Sequence, residues 1–115
     1  MKNSPYDAEI ESSSGNVFED LGLPDAQTRL AKAELARRIG AVIGDRRLTQ
    51  STAAAILGVD QPKVSALVSG RLAGFSIERL MHFLTLLGQD VEIVVSNESA
   101  SKPVGALTVR PASVR

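Results

Sequence analysis

Two short apolar segments joined by a glycine turn constrain the fold of this chain most strongly. They lie in the stretch LTQSTAAAILGVDQPKVSALVSG. Thr49 and Asp60 are residue types that cap helix N-termini, and a glycine follows each segment where a helix can end in a left-handed residue. The pattern predicts one helix over residues 50–57 and a second over residues 61–69.

The spacing within this helix pair separates two interpretations. A steep crossing over a short turn needs small or apolar residues on the inward faces and a residue that tolerates positive φ in the turn. The pattern known for helix-turn-helix motifs has glycine at place 9 and small or apolar residues at places 4, 5, 8, 10, 15 and 18. Counted from Gln50, places 4, 5, 8, 9, 10, 15 and 18 are Ala53, Ala54, Leu57, Gly58, Val59, Val64 and Leu67. All seven places meet the requirement, which favours the helix-turn-helix of DNA-binding proteins over an ordinary hairpin that packs a core.

Helical patterns flank this pair on both sides. Apolar residues recur at helical spacing over residues 26–44, after a capping Asp25, and over residues 77–87, after a capping Ser76. The core must be mainly aliphatic, because the chain has few aromatic residues: Tyr6, Phe18, Phe75 and Phe83.

The net charge of the chain is zero, but charge is distributed unevenly. Residues 1–26 hold six acids and one Lys, a net charge of −5. Residues 27–95 hold nine Arg or Lys and six acids, a net charge of +3, and residues 96–115 hold three Arg or Lys and one acid, a net charge of +2. The mildly basic charge of residues 27–95 suits contact with phosphate. The acidic charge of residues 1–26 suits either binding to a basic partner or simply keeping the chain soluble.

Composition divides the chain into three segments. Residues 1–16 are polar and acidic, which predicts a disordered arm. Residues 17–95 form the helical domain, and we expect its apolar start, residues 17–23, to pack against the helices. Residues 96–115 have the composition of a flexible tail.

Several classes of protein find no support in the residues. The chain has no Cys, and a single His82 cannot build a His-rich metal site, so we predict no metal and no cofactor. We find no Ser/His/Asp set and no phosphate-binding glycine loop, so we predict that the chain is not an enzyme. No apolar run approaches the roughly 18 residues of a membrane span. The N-terminus lacks the apolar core of a secretory signal, so we expect a cytoplasmic protein that associates with the nucleoid when bound to DNA.

A strand-like segment, DVEIVV, follows the last helix. Val91, Ile93 and Val95 alternate onto one face, which predicts a β-strand. A lone strand leaves its N–H and C=O groups unpaired, and pairing with the same strand of a second chain would satisfy them and bury these three residues. We therefore predict a symmetric homodimer through this region, with pairing to residues 17–21 of the same chain as the alternative.

The helix-turn-helix motif quoted above resembles the Xre/Cro-like family, and FSIERLMHFLTLLG resembles the later helices of that family. More narrowly, NVFEDLG, KAELARRIGAVI, LGVDQPKVSALVSGR and DVEIVV together resemble HigA-type antitoxins, the DNA-binding members of toxin–antitoxin pairs. The resemblance covers about residues 17–95. It implies an all-α, compact, lambda-repressor-like bundle of four to five helices, with one C-terminal β-strand paired across a dimer.

The same resemblance implies a function. It is that of a transcriptional repressor that binds double-stranded operator DNA and, as an antitoxin, captures a small basic RNase toxin. A stand-alone phage-type repressor and an interaction module that no longer binds DNA are the alternatives. The acidic segment Asp7–Asp20 is a candidate surface for a basic toxin, on its charge alone.

Predicted DNA contacts lie on the outward face of the second motif helix. Gln61 lies at the helix N-terminus, where glutamine can pair with adenine N6 and N7, and the matching Gln of the family commonly contacts bases. Gln50 and Arg71 are expected on the phosphate backbone. As alternatives, Gln61 is a solvated first-turn residue and Gln50 serves only in local capping. The full predicted set is Gln50, Gln61, Pro62, Lys63, Ser65, Ala66, Ser69 and Arg71.

Arg46 and Arg47 lie just before the motif. Their side chains either reach the DNA backbone or are simply solvated.

Overall fold

A computed structural model describes residues 25–97 and 101–112 of the chain, and within them the fold consists of four α-helices. They are α1, Asp25–Asp45; α2, Gln50–Leu57; α3, Gln61–Ser69; and α4, Ile77–Leu86. This confirms the predicted all-helical bundle, and α2 and α3 begin and end at the predicted residues. The predicted arm of residues 1–16 and the predicted packing of residues 17–23 lie outside the described residues. None of the described helices has the length and apolarity that crossing a membrane requires.

The three later helices begin at side-chain caps. A helix N-terminus leaves backbone N–H groups without an intrahelical partner, and a hydroxyl or carboxylate just before the helix can accept from one of them. Each cap oxygen accepts from the amide three residues further on, at 3.0, 3.3 and 3.1 Å for Thr49–Thr52, Asp60–Lys63 and Ser76–Arg79. The caps predicted at Thr49, Asp60 and Ser76 are therefore the ones used. Asp25, also predicted as a cap, lies instead within the first turn of α1.

The core lies where α1 and α4 pack against each other and against the α2–α3 pair. It is mainly aliphatic, as predicted, because most of its volume comes from Leu, Ile, Val and Ala. Phe75 and Phe83 are the aromatic exceptions, in edge-to-face contact with ring centroids 6.0 Å apart. The residues with least exposure, 0 to 2%, are Ala31, Ile39, Ala53, Val64, Leu67, Leu80, Phe83 and Leu87.

Ion pairs decorate the outer surface of α1. Arg29 contacts Asp25 at 2.7 Å, and Arg37 contacts Glu34 at 2.5 Å. The hydrogen bond from Arg37 holds the pKa of the Glu34 carboxyl below its ordinary value. The stabilisation from this pair is therefore present above the ordinary carboxyl pKa and lost as the pH falls through the lowered one. It is small, because solvent screens a pair at the surface.

The described residues after α4 form no β-strand. Residues 91–97 are neither helical nor paired in a sheet, and the side chains of Val91, Ile93 and Val95 are 38%, 72% and 89% exposed. The physical reason is that a strand exists only beside a second strand, and none lies within the described part of this chain. The alternative partner, residues 17–21, is outside that part, and pairing across a dimer stays a prediction.

Part of the predicted C-terminal tail returns to α1. The Leu107 amide donates a hydrogen bond to Oε1 of Gln27 at 3.1 Å. Leu107 and Val109 are half-buried against the core. Residues 80 positions apart in the sequence are thus in contact.

Candidate nucleic-acid interface

The turn between α2 and α3 fixes how the two helices cross. Gly58 has φ +73°, in the left-handed region that a side chain makes costly. Its amide and the amide of Val59 both donate to the carbonyl of Ala54, at 2.9 and 3.0 Å. These bonds close α2, and α3 begins three residues after Gly58 at Gln61. Glycine at this place therefore permits the short turn that the motif needs.

The inward faces of α2 and α3 meet through the predicted anchor residues. Ala53 and Val64 are fully shielded from solvent, and Leu67 is 2% exposed. The small side chain of Ala53 needs little room, which suits two helices that cross over a short turn. Of the remaining predicted anchors, Ala54 and Leu57 are buried and Val59 is half-buried.

Because Val64 and Leu67 take the inward side of α3, the opposite side of the helix faces solvent. Most of the predicted contact residues share that outward side: Gln61, Pro62, Lys63 and Ser69 are exposed, and Ser65 and Ala66 are half-buried. Val68 flanks them at 43% exposure. The outward side is therefore polar over its first turn and mixed further along.

The two serines of α3 are linked through the backbone. The Ser69 hydroxyl donates to the carbonyl of Ser65 at 2.7 Å, a hydrogen bond to the preceding turn of the helix. In this arrangement the hydroxyl proton of Ser69 is used within α3, and the oxygen keeps its capacity to accept. Ser69 is thus suited to accept from a donor such as an exocyclic base amine.

A groove of about 300 Å³ lies between α3 and the loop that leads to α4. It brings together residues predicted separately, since Pro62, Lys63 and Ala66 of the helix share it with Arg71 of the loop. The Arg71 amide donates to the carbonyl of Ala66 at 2.9 Å, which ties the start of the loop to the helix end. The remaining lining residues, which the sequence pattern did not indicate, are Asp60, Gly74 and Phe75.

Two cations, Lys63 and Arg71, are exposed on this groove, and the carboxylate beside them is that of Asp60. That carboxylate accepts from the Lys63 amide as the helix cap. The groove flank of α3 therefore offers two positive charges close to the outward face, as a surface for phosphates requires.

The other predicted sites lie on separate elements. Gln50 is the half-buried first residue of α2, and Val91, Ile93 and Val95 lie beyond α4.

Arg46 contacts the end of α4, which the sequence did not predict. A Cβ atom added to Gly88 would lie 2.9 Å from Nη2 of Arg46. The guanidinium thus lies against the end of α4, where helix carbonyls favour a positive charge.

Nothing in the described part of the chain gathers three or more His, Asp or Glu side chains into a possible metal site.

Comparison with known proteins gave two matches. A family of helix-turn-helix domains matches residues 17–96. A solved structure assigned to the XRE family of transcriptional regulators is 49% identical to this chain, with a TM-score of 0.71. That match covers 77% of this chain and 100% of the other. No curated protein matched the chain.

Proposed function

Because this chain belongs to the XRE-like helix-turn-helix family, we propose that it is a DNA-binding transcriptional regulator, acting as a repressor. The observation that carries the proposal is the geometry of α3. Val64 and Leu67 fasten one side of the helix to the core, and Gln61 stands exposed at the N-terminal end of the other side. That end is the one a recognition helix directs at base edges in the major groove.

Base recognition is proposed for the outward face of α3. A glutamine amide can accept from adenine N6 and donate to N7, and that pair of bonds distinguishes adenine from the other bases. The hydroxyl groups of Ser65 and Ser69 are proposed to form hydrogen bonds with base edges. Ala66, which lines the groove between α3 and the following loop, is proposed to contact a thymine methyl. Pro62 also belongs to this proposed surface, and as a proline it has no backbone N–H to donate.

Phosphate contacts are proposed for the positions around that face. Lys63 and Arg71 lie on the groove flank of α3, and Gln50 begins α2. A helix N-terminus favours an anion such as a phosphate. Backbone contacts of this kind fix the register of the protein on the duplex, whereas base contacts supply the sequence preference.

Operator binding is proposed to need a homodimer. One α2–α3 pair makes few base contacts, each worth about 1–3 kcal/mol of discrimination. Two pairs on one dimer read two half-sites about 34 Å apart. The exposed aliphatic residues Val91, Ile93 and Val95 are proposed as the dimer contact, by pairing with the same segment of a second chain.

A narrower proposal is that the regulator is the antitoxin of a toxin–antitoxin operon. It is supported by the resemblance of residues 17–95 to HigA-type antitoxins. Its proposed partner is a small basic RNase toxin encoded next to it. Co-expression with the adjacent reading frame tests the proposal. An antitoxin co-purifies with the product of that frame and restores the growth of cells in which that product is toxic, whereas a stand-alone repressor does neither.

The regulatory proposal is tested by binding to the DNA upstream of the gene itself. We expect a saturable shift with that DNA and a much weaker one with a scrambled duplex. Lys63 and Arg71 supply four cations in a dimer, so affinity should fall roughly 100-fold between 50 and 200 mM salt. Fluorescence anisotropy at several salt concentrations measures this slope.

Two variants make the salt experiment specific. Arg71→Ala should weaken binding to all DNA alike and flatten the slope of log affinity against log salt by about 2, one per protomer. Arg37→Ala removes a cation that is paired with Glu34 on α1 and should leave the slope unchanged. Binding to neither the upstream nor the scrambled DNA would instead favour an interaction module that no longer binds DNA.

A further inference from the structure

Arg47, in the turn between α1 and α2, has a backbone conformation that arginine rarely adopts. Its φ is +55°, and within the described part of the chain no other residue with a side chain has a positive φ. The left-handed region brings a Cβ atom close to the following carbonyl oxygen, so a residue with a side chain adopts it at a cost in stability. The backbone at Arg47 is therefore strained by its own side chain.

This conformation closes α1. The Arg47 amide donates to the carbonyl of Gly44 and the Leu48 amide to that of Ile43, both at 3.0 Å. These two bonds around a left-handed residue form the Schellman ending of a helix, in which glycine is the usual residue. Left-handed glycines follow the other three described helices: Gly58, Gly70 and Gly88. The turn that leads into α2 therefore departs from the rest of the fold by having arginine at this place.

The two adjacent arginines of this turn differ in what their side chains contact. Nη2 of Arg46 lies against Gly88 at the end of α4, so that guanidinium is used within the fold. Arg47 is exposed, and its side chain forms no hydrogen bond or ion pair with any residue in the ranges 25–97 and 101–112. Its positive charge is therefore available to a molecule outside the chain.

Arg47 lies next to the helix end that is proposed to meet the DNA backbone. Thr49 caps α2 and Gln50 begins it, so Arg47 precedes the first residue of α2 by three positions. The first helix of a helix-turn-helix crosses the sugar–phosphate backbone. An exposed cation beside the start of that helix has the charge that binding to phosphate requires.

We propose that Arg47 binds a phosphate of the operator backbone beside the start of α2, and that Arg46 does not. The inference rests on the proposed function and adds a contact to it. Glycine at position 47 would close α1 without the strain, but it would leave the start of α2 without this cation. Binding rather than folding thus accounts for the arginine.

The salt dependence of DNA binding tests the contact on the full-length chain. Arg47→Gly should weaken binding to operator and scrambled DNA alike and flatten the slope of log affinity against log salt by about 2, one phosphate per protomer. Arg47→Lys keeps the charge and should keep the slope. With Arg47 the proposed dimer has six backbone cations rather than four, so wild-type affinity should fall roughly 1,000-fold between 50 and 200 mM salt.

Thermal unfolding separates this role from a structural one. Arg47→Gly relieves the strain and should keep or raise the midpoint of unfolding, although it weakens DNA binding. Arg47→Ala keeps a Cβ atom, so it should unfold roughly 4 °C below Arg47→Gly while binding DNA equally weakly. If Arg47 served only the dipole at the C-terminal end of α1, Arg47→Gly would lower the midpoint and keep the salt slope, which would overturn the proposal.

Arg46→Ala is the matched control, since it removes the adjacent arginine. It should keep the wild-type salt slope and lower the midpoint of unfolding, because the contact with the end of α4 is lost. A wild-type chain that binds no DNA would overturn the proposed function itself. Saturable operator binding with the same salt slope in the wild type and in Arg47→Gly would overturn the Arg47 contact alone.

Discussion

Replacing Ile93 with aspartate is expected to convert the proposed dimer to a monomer and to lower operator affinity about 100-fold or more. Ile93 is 72% exposed in the single chain, so its replacement should leave the helical bundle folded. In the proposed dimer the two copies face each other near the two-fold axis, where two carboxylates would be desolvated and would repel. Losing one of two linked half-site contacts costs two to four orders of magnitude in avidity.

Val104→Asp is the matched control, because Val104 is an exposed aliphatic residue, 60% exposed, outside the predicted strand. This variant should keep both the dimer mass and the operator affinity. Light scattering during size-exclusion chromatography and DNA anisotropy measure the two quantities. A wild-type chain that is monomeric at all concentrations would contradict the dimer, as would an Ile93→Asp variant that keeps the wild-type mass.

Replacing Leu67 with alanine is expected to lower the free energy of unfolding by about 2–5 kcal/mol. Leu67 is 2% exposed and joins α3 to the core, so its truncation leaves a cavity where the α2–α3 pair is held. The midpoint of thermal unfolding should fall by about 10 °C or more. Circular dichroism during heating and urea titration measures both changes.

The neighbouring Val68→Ala variant controls for the truncation of an aliphatic side chain on the same helix. Val68 is 43% exposed, and its loss should change stability by no more than about 0.5 kcal/mol. Similar destabilisation by both substitutions would mean that α3 is not fastened through Leu67. It would also remove the physical argument that the face of α3 opposite Leu67 is the exposed one.

The parts of the fold that the sequence predicted are those set by local chemistry. Thr49, Asp60 and Ser76 cap helices through amides three residues away, and such caps can be found from residue type and spacing. Gly58 supplies the turn for the same local reason. The inward anchors followed from helical periodicity, because Val64 and Leu67 recur on one side of α3.

The parts that the sequence did not predict depend on contacts between distant residues. The Leu107–Gln27 hydrogen bond spans 80 positions, and composition alone predicted only a flexible tail there. The contact of Arg46 with the end of α4 has no local signature either. The predicted strand is not formed among the described residues, since no second strand lies there to pair with it.

The most direct test of base reading by α3 is the ratio of affinities for the operator and for a scrambled duplex at one salt concentration. Gln61→Ala should lower this ratio at least 10-fold, since each bidentate glutamine–adenine pair is worth about 1–3 kcal/mol. Arg71→Ala should lower both affinities alike and keep the ratio. An unchanged ratio in the Gln61→Ala variant would contradict the assignment of α3 as the helix that reads the operator through Gln61.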